Sequence, residues 1–571
     1  MSIFSLSKIE SILIFSIFIV FCLVIFSIVP NSFSISLIGF GLSVIWLTFI
    51  LKNKNSCMPE FLFEKKIFFI GLYFWLFLVL IAVGIGAYAR FISPGYDLYW
   101  FSQAVTNAKI GNGLHISSER IFPTLLVQHW EPILYTIIPF TFFFSGAVSA
   151  VLWQTLGLWG GTIGAWKLSS LVFEKSELKN LKYYLTIFYV VSWANINPLS
   201  FDIHPPVFGA LLFIPWIIFF ILKQKKIIAI LLLLLLMQCG EIFFAVAPAY
   251  FVYLILEKKI TPSRAVISII FYFSGFLLIG VYQKYIGPKW SGLSFAFAGR
   301  YGSIGGDGMG ILQTFVHHPF DVISQFIAAK KIKTFLKIFI YYGLLPIFSL
   351  LCKKYRLLAV CIWLGCLPYF IQVGVANDVG MSNTNMHYIA ALGSQWWCLS
   401  LFGLYAINEK FVYFSLKEKL ILPLFLILFF LNSSEWRKSP LYPFRGFIER
   451  EHADSGTRQY LASLPKSEGV LLAGVEWLCP LAADERYYTL CYVGHEDYLP
   501  IMPLDTIIAS QEGLKYVYNS LSRDIKKTKN AEIILSILSE DLQKIHWIKI
   551  ADKEQKNSDG VSTHYSIWHK Q

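Results

Sequence analysis

The strongest constraint in this chain is a succession of apolar runs, each near the length of a bilayer crossing, separated by short clusters of Lys and Arg. A helix needs roughly 20 apolar residues to cross the hydrocarbon core, because lipid offers no hydrogen-bond partner and a helix satisfies its own backbone. Such runs occupy 11–29, 34–51, 67–90, 149–171, 183–199, 207–222, 264–283, 336–352, 357–375, 389–407 and 419–433. The clusters KNK at 52–54, KQKK at 223–226, EKK at 257–259 and KKYR at 353–356 lie between runs. The formal net charge of +13 therefore reads as a positive-inside pattern and not as a nucleic-acid surface. At 56% hydrophobic residues and a mean hydropathy of +0.60, the chain is far too apolar for a soluble protein of 571 residues. The first run lacks a small-residue cleavage site and leads straight into the next, so it reads as a retained helix. The fold class expected is mainly α, a polytopic transmembrane bundle of about 11–13 segments.

Two stretches resist simple counting. The segment 132–147 is short and holds Pro132 and Pro139; if it crossed, the basic stretch 174–182 would fall on the outer face. A re-entrant or surface-lying 132–147 restores the charge rule, and such backbone is tolerated where it lines a protein cavity. The 30 residues Ile227 to Leu256 are too many for one upright helix and few for two full ones. Their interruption, Gln238–Cys239–Gly240–Glu241, favours two short helices meeting at an outer tip over one long tilted helix.

Composition divides the chain into 1–66, two extra N-terminal helices and a cytoplasmic loop; 67–433, the main transmembrane domain with its outer loop 91–131; and 434–571, a polar region with strand-like runs such as GVLLAGVEWL. The last is expected to be a small α/β domain, extracytoplasmic by span parity. Nine cysteines form no CxxC pair, and most lie in apolar runs, where Cys acts as a small core hydrophobe. Cys479 and Cys491 fall in the polar region; spacing alone does not establish a disulfide between them.

The polar residues that such a chain places at a membrane boundary are the candidate site, because ionisable groups there cost free energy unless they meet water or partners. The outer loop supplies Asp97, Glu119, Arg120, His129 and Glu131; the loop 197–206 supplies Asp202 and His204; the interruption supplies Glu241; and 377–387 supplies Asn377, Asp378, Asn385 and His387. Asp97 is the expected catalytic centre, a carboxylate able to accept a proton from an acceptor hydroxyl. Its other reading is a helix N-cap, since PGYD precedes an apolar helix. His129, Glu131, Asp202, His204, Glu241, Arg120 and His387 are the expected substrate-binding residues. No cofactor is assigned; Asp97, Asp202 and His204 form an oxygen and imidazole set that suits Mg or Mn only in part. The glycines of 299–310 follow no strand and make no phosphate-binding fingerprint. The Lys tract 330–337 is expected at a headgroup surface, where it could also meet an anionic lipid.

In order, YDLYWFSQAVTNAKIGNGL, QHWEPILYTIIPF, SFDIHPPVFGALLFIPW, the Glu241 interruption, NMHYIAAL and LPKSEGVLLAGVEWLCPLAADERYYTL resemble the bacterial membrane proteins grouped as domain of unknown function 2079. That family is similar to the GT-C glycosyltransferases, which take a sugar from a polyprenyl-phosphate donor at the outer membrane face. The resemblance implies a GT-C-like bundle, a polyprenyl-phosphate sugar as donor, a glycan, lipid or protein acceptor, and a place in the inner (plasma) membrane; by position it gives Asp97 the role of base. Three departures bear on this. Ser102–Gln103 stands where the family has Asp-Gln, Cys239–Gly240–Glu241 where it often has Lys-Glu-Asp, and His204–Pro205–Pro206 where it has a His-Pro-Glu type run. Fewer acids weaken a metal-dependent reading. The alternatives are a transporter or flippase of a lipid-linked or anionic solute, and a non-catalytic envelope assembly protein.

Overall fold

The computed structural model describes residues 97–116, 124–127, 129–174, 181–192, 194–195, 203–287, 308–342, 345–376, 389–410, 469–473, 487–489, 504–521, 523–541, 546–556 and 562–571, with Pro198 and Lys289 besides. The runs 11–29, 34–51, 67–90 and 419–433, with Cys479 and Cys491, lie outside these residues. The chain forms two compact units: Met1–Gly84, Leu152–Tyr285 and Phe295–Arg445 in one, and Ile85–Val151, Ile286–Ser294 and Gly446–Gln571 in the other.

The second unit begins with α1 (Asp97–Lys109), whose Leu98, Trp100, Phe101, Ala104 and Val105 are buried. Its last residue, Lys109, donates to the Thr141 carbonyl at 2.8 Å and lies over the Phe142 ring. This fastens α1 to a broken segment made of a 3-10 turn (Pro132–Ile137) and α2 (Ile138–Thr141). Neither piece is long enough to cross a bilayer, and together they bend by 115° from α3 (Gly146–Val172), as a broken span or re-entrant segment does. Prolines at 132 and 139 each sit in the first turn of a piece, where a missing N–H costs nothing.

The first unit is a bundle of apolar helices: most of α3, then α4 (Leu181–Val191), α5 (Pro205–Leu222), α6 (Lys226–Met237), α7 (Phe243–Leu256) and α8 (Pro262–Val281), which a π turn extends through Tyr282–Ile286. Next come α9 (Gly308–His317), α10 (Pro319–Phe326), α11 (Ala329–Tyr341), the single turn α12 (Leu345–Phe348), α13 (Arg356–Val375) and α14 (Ala390–Lys410). Among the described residues α5, α8 with its π turn, and α13 are each long and apolar enough to span a membrane, and the bent pair makes a fourth if it counts as one span.

Close backbone approach holds this bundle together. A Cβ on Gly161 of α3 would stand 1.9 Å from the Leu211 carbonyl oxygen of α5, so nothing larger than glycine fits there without a shift. Beside it the Trp216 indole donates to the Gly160 carbonyl at 2.8 Å, and the buried Tyr189 hydroxyl of α4 donates to Leu211 O at 2.5 Å. Small residues at the crossing and polar side chains bonded to neighbouring backbone are what lipid demands, since tails as apolar as leucine give helices no hydrophobic reason to associate.

The stretch 227–256 is two helices, which excludes the single tilted helix. Lys226, first residue of α6, and Glu257, the residue after α7, form an ion pair that joins the two ends of the stretch, so α6 and α7 run as a hairpin. Each charge opposes the dipole of its own helix, and each is compensated by the other. The run expected as one span at 336–352 is not one helix. α11 starts seven residues earlier, at Ala329, in the Lys-rich stretch, and ends at Tyr341; α12 and a 3-10 turn (Ser349–Leu351) follow. Pro346 lies in the first turn of α12, where its ring is tolerated and where a continuous helix would be interrupted.

The C-terminal part of the second unit is an α/β fold, as expected. Strands β1 (Val470–Ala473), β2 (Tyr487–Thr489), β3 (Thr506–Ala509), β4 (Trp547–Lys556) and β5 (Ser562–Lys570) make one sheet in the order β2-β1-β3-β5-β4. β1 is parallel to β2 and β3, while β5 runs antiparallel to β3 and β4. Helices α15 (Gln511–Ser520) and α16 (Lys529–Leu538) bury Leu514, Val517, Ile534 and Ile537 with Leu471, Ile507, Trp547 and Trp568 of the strands. The Ser510 hydroxyl caps α15 by accepting from Gly513 N–H at 3.0 Å.

Candidate functional site

The polar residues singled out in the sequence fall in both units. In the second, Asp97 is the first helical residue of α1 and not the residue preceding it, so the helix begins one position earlier than the N-cap reading requires. An acidic residue in the first turn suits the positive end of the helix dipole. α1 packs against the 3-10 turn Leu125–Val127 and against the turn Pro132–Ile137, which flank His129–Trp130–Glu131 on either side. The His129 N–H donates to Leu125 O at 3.1 Å and the Glu131 carbonyl accepts from Leu134 N–H at 3.1 Å, so both residues are held by their own backbone. The Glu131 side chain is buried, at 2% exposure, and gives no cap to the turn that follows it.

In the first unit three elements meet at the tip of the α6–α7 hairpin. α6 ends at Met237 and α7 begins at Phe243. Between them Gly240 takes φ +145°, a conformation that only glycine adopts without strain, and this turns the chain before the half-buried Glu241. The first turn of α5 lies directly on this break: a Cβ on Gly240 would be 3.1 Å from Pro206 Cγ, and one on Gly209 would be 2.7 Å from Cys239 Sγ. His204 is the extended residue that opens α5, with its side chain buried. Its backbone N–H donates to the Gln154 side-chain carbonyl of α3 at 2.6 Å. The Trp153 ring, next in sequence, stacks on Phe208 at 3.7 Å between centroids. The N-terminal ends of α5 and α7 thus adjoin at Gly240, with an imidazole and a carboxylate beside them.

The tip also gathers residues that sequence reasoning missed. Gln154, which positions the His204 backbone, was legible only as one polar residue inside an apolar run. Tyr369 of α13 is 4% exposed, lies within electrostatic range of Glu241 and Cys239, and has no hydrogen-bond partner for its hydroxyl among the described residues. Nothing in its local sequence separates it from the chain's other tyrosines; only the packing of α13 against α7 brings it here. Arg120, Asp202 and His387, with Glu119, Asn377, Asp378 and Asn385, lie outside the described residues. Among the described residues no three His, Cys, Asp or Glu side chains gather closely enough to hold a metal ion.

The arrangement at the tip sets an imidazole and a carboxylate beside two helix starts whose N–H groups are already used: α5 opens on Pro205 and Pro206, which have none, and the Val207, Phe243 and Phe244 N–H groups donate to the His204, Gly240 and Glu241 carbonyls. The proton chemistry there belongs to the side chains, since a carboxylate such as Glu241 and an imidazole such as His204 can accept or hold a proton. A break of this kind survives inside an apolar bundle only where protein or a water-filled cavity meets the exposed backbone.

No curated relative matches the sequence. Among solved structures, ArnT from Cupriavidus metallidurans bound to undecaprenyl phosphate superposes with a TM-score of 0.43 at 9% identity, over 87% of this chain and 97% of that one. The family model described as Predicted membrane protein (DUF2079) matches residues 87–554, most of the chain, and the chain belongs to that family.

Proposed function

We propose that the chain is an integral-membrane glycosyltransferase of GT-C type, moving a sugar from a polyprenyl-phosphate donor to a cell-envelope glycan, lipid or protein acceptor on the outer face of the inner membrane. The observation that carries this reading is the tip of the α6–α7 hairpin, where Glu241 and His204 adjoin two helix N-termini within an apolar bundle. A lipid-borne phosphate sugar needs such a place: apolar surroundings for the polyprenol, and polar side chains for the sugar and its phosphate.

In the proposed reaction the Asp97 carboxylate takes the proton of the acceptor hydroxyl. The acceptor oxygen attacks the anomeric carbon in line as the bond from that carbon to the phosphate oxygen breaks, and polyprenyl phosphate leaves with the bonding pair. His129, Glu131, Asp202, His204, Glu241, Arg120 and His387 bind the substrates, and Arg120, Lys289 and Arg300 are the candidate cations for steadying the departing phosphate. Residues 434–571 form the extracytoplasmic domain that holds the acceptor.

The broken hairpin also fits a second reading, transport of an anionic or lipid-linked solute, because discontinuous helices line substrate paths in transporters. One experiment separates the two. Purified wild-type protein and Asp97→Asn are reconstituted with a panel of polyprenyl-phosphate sugars, and release of polyprenyl phosphate is followed. The expected outcome is release by the wild type, reduced roughly 100- to 10,000-fold in a folded Asp97→Asn variant. Absence of release with every donor, with lipid movement between leaflets unaffected by the substitution, would sink the transferase reading in favour of transport.

A further inference from the structure

Three of the helices between α8 and α13, namely α9, α10 and α11, present large apolar side chains that stay exposed among the described residues, at the end of a helix long and apolar enough to span a membrane. α13 has 20 residues and so is about 30 Å long, the thickness of the hydrocarbon core. The basic cluster at 353–356 marks one of its ends, and Gly374 and Val375 mark the opposite boundary. α10 is fastened there. Val322 and Phe326, four residues apart on one face, pack with Val375 and Ile371. The Phe326 ring occupies the space where a side chain on Gly374 would lie. α11 is fastened at the same point by the buried Lys331, whose ammonium donates to the Gly374 carbonyl at 2.5 Å. That carbonyl lies in the last turn of α13, where a cation is favourable. Burial holds the Lys331 pKa below the ordinary lysine value, and its place on a helix C-terminus opposes loss of its proton.

The opposite face points away from the bundle. Phe320, Ile323 and Ile327, at positions i, i+3 and i+7, are 82%, 47% and 64% exposed. Phe315 and Val316 at the end of α9 and Leu336 of α11 are exposed as well. Large apolar side chains exposed on three successive helices are not favoured in water, and such exposure marks an interaction site. α11 itself, AKKIKTFLKIFIY, carries four lysines and no acidic residue. In its sequence Lys330, Lys333 and Lys337 recur at helical spacing between apolar positions, and with low overall hydrophobicity this is the pattern of a helix that lies in the membrane interface and does not cross it.

We propose that α9, α10 and α11 form a membrane-interface platform, lying at the boundary of headgroups and acyl chains, with the lysines of α11 drawing anionic phospholipid to it. The covering partner is the bilayer itself, because the platform is tied to the boundary end of a span and its charge complements an acidic lipid surface. The inference is independent of the catalytic reading and its test needs no activity.

The wild-type chain is placed in nanodiscs containing a phospholipid with a photoreactive diazirine next to the glycerol, as either phosphatidylglycerol or phosphatidylcholine, and modified peptides are mapped by mass spectrometry. The expected result is modification of 308–341 by both lipids, several-fold greater with phosphatidylglycerol, with peptides of 511–538 unmodified as the aqueous reference. The triple variant Lys330→Glu, Lys333→Glu, Lys337→Glu should lose the preference for phosphatidylglycerol while phosphatidylcholine modification persists; a preserved preference would overturn the role of the lysines. An unmodified 308–341 alongside modified 262–286 would overturn the platform, as would protection of 308–341 by contact with a second copy of the chain.

Discussion

The helical bundle and the C-terminal sheet are built from the same hydrogen-bonding groups, yet different forces hold each together. In the sheet, β1 and β3 are buried residue by residue and two amphipathic helices close over one face, so association removes apolar surface from water. In the bundle the helices are apolar nearly all round, and α8 exposes Ile267, Ile269, Ile270 and Phe273 outward. Specific fit replaces water exclusion there: glycine at the α3–α5 crossing, and Tyr189 and Trp216 bonded to neighbouring carbonyls. The lesson is that removing a methyl group should hurt the sheet most, and adding one should hurt the bundle most.

The sharpest test of that contrast is Ile534→Ala, which opens a cavity in the sheet's helical cover. A loss of about 2–5 kcal/mol is expected, read as faster hydrogen exchange in 504–538 with exchange in 146–222 unchanged. Its counterpart in the bundle is Gly161→Ala, which forces α3 away from Leu211. It should cost about 1–3 kcal/mol and lower the thermal midpoint in detergent; a neutral effect would break the claim that close approach organises the bundle.

A smaller effect is expected at the base of the hairpin. Lys226→Met leaves the Glu257 carboxylate, only 8% exposed, without its cation, at a cost on the order of 1 kcal/mol given that Lys226 itself is 35% exposed. Adding Glu257→Gln should recover most of that stability, since the penalty lies in the unpaired charge. Failure of the double variant to recover would mean that the pair acts through packing.

The smallest effect belongs to the sheet's surface. The Lys549 ammonium at 2.7 Å, with a hydrogen bond from the Ser566 hydroxyl, holds Asp552 below the ordinary carboxylate range. A depressed folded-state pKa stabilises at pH above the unfolded value of about 3.9 and is lost as pH falls through the folded value. Asp552 is 66% exposed, so solvent screening reduces the gain to a few tenths of a kcal/mol. Asp552→Asn should flatten the acid limb of the sheet's stability profile by that amount in dilute buffer and have no effect in 1 M salt.

Much of the architecture was legible in the chain because bilayer physics leaves few options. The runs 207–222, 264–283, 357–375 and 389–407 fall on α5, α8, α13 and α14, and the break at Gln238–Glu241 falls between α6 and α7. The run 336–352 misled because hydropathy averages over a segment that changes character. Its first part continues an amphipathic helix whose lysines recur at helical spacing, and Pro346 then starts a new turn. The site was legible in part. Glu241 and His204 stand out as polar residues in apolar surroundings, whereas Gln154 and Tyr369 owe their places to helices far away in sequence.

The sequence by itself determined the solvent of each segment, since an apolar run in a chain of this kind has only a bilayer or a buried core to enter. It also determined where helices must break, because Gly240, Pro132 and Pro346 restrict the backbone locally. Only the tertiary structure decided which faces meet. Gly161 against Leu211, Pro206 against Gly240 and Lys331 against Gly374 join residues 34 to 50 positions apart, and no local propensity encodes such pairs. In lipid that choice rests on steric fit and on satisfying buried polar groups, and both are properties of two surfaces together.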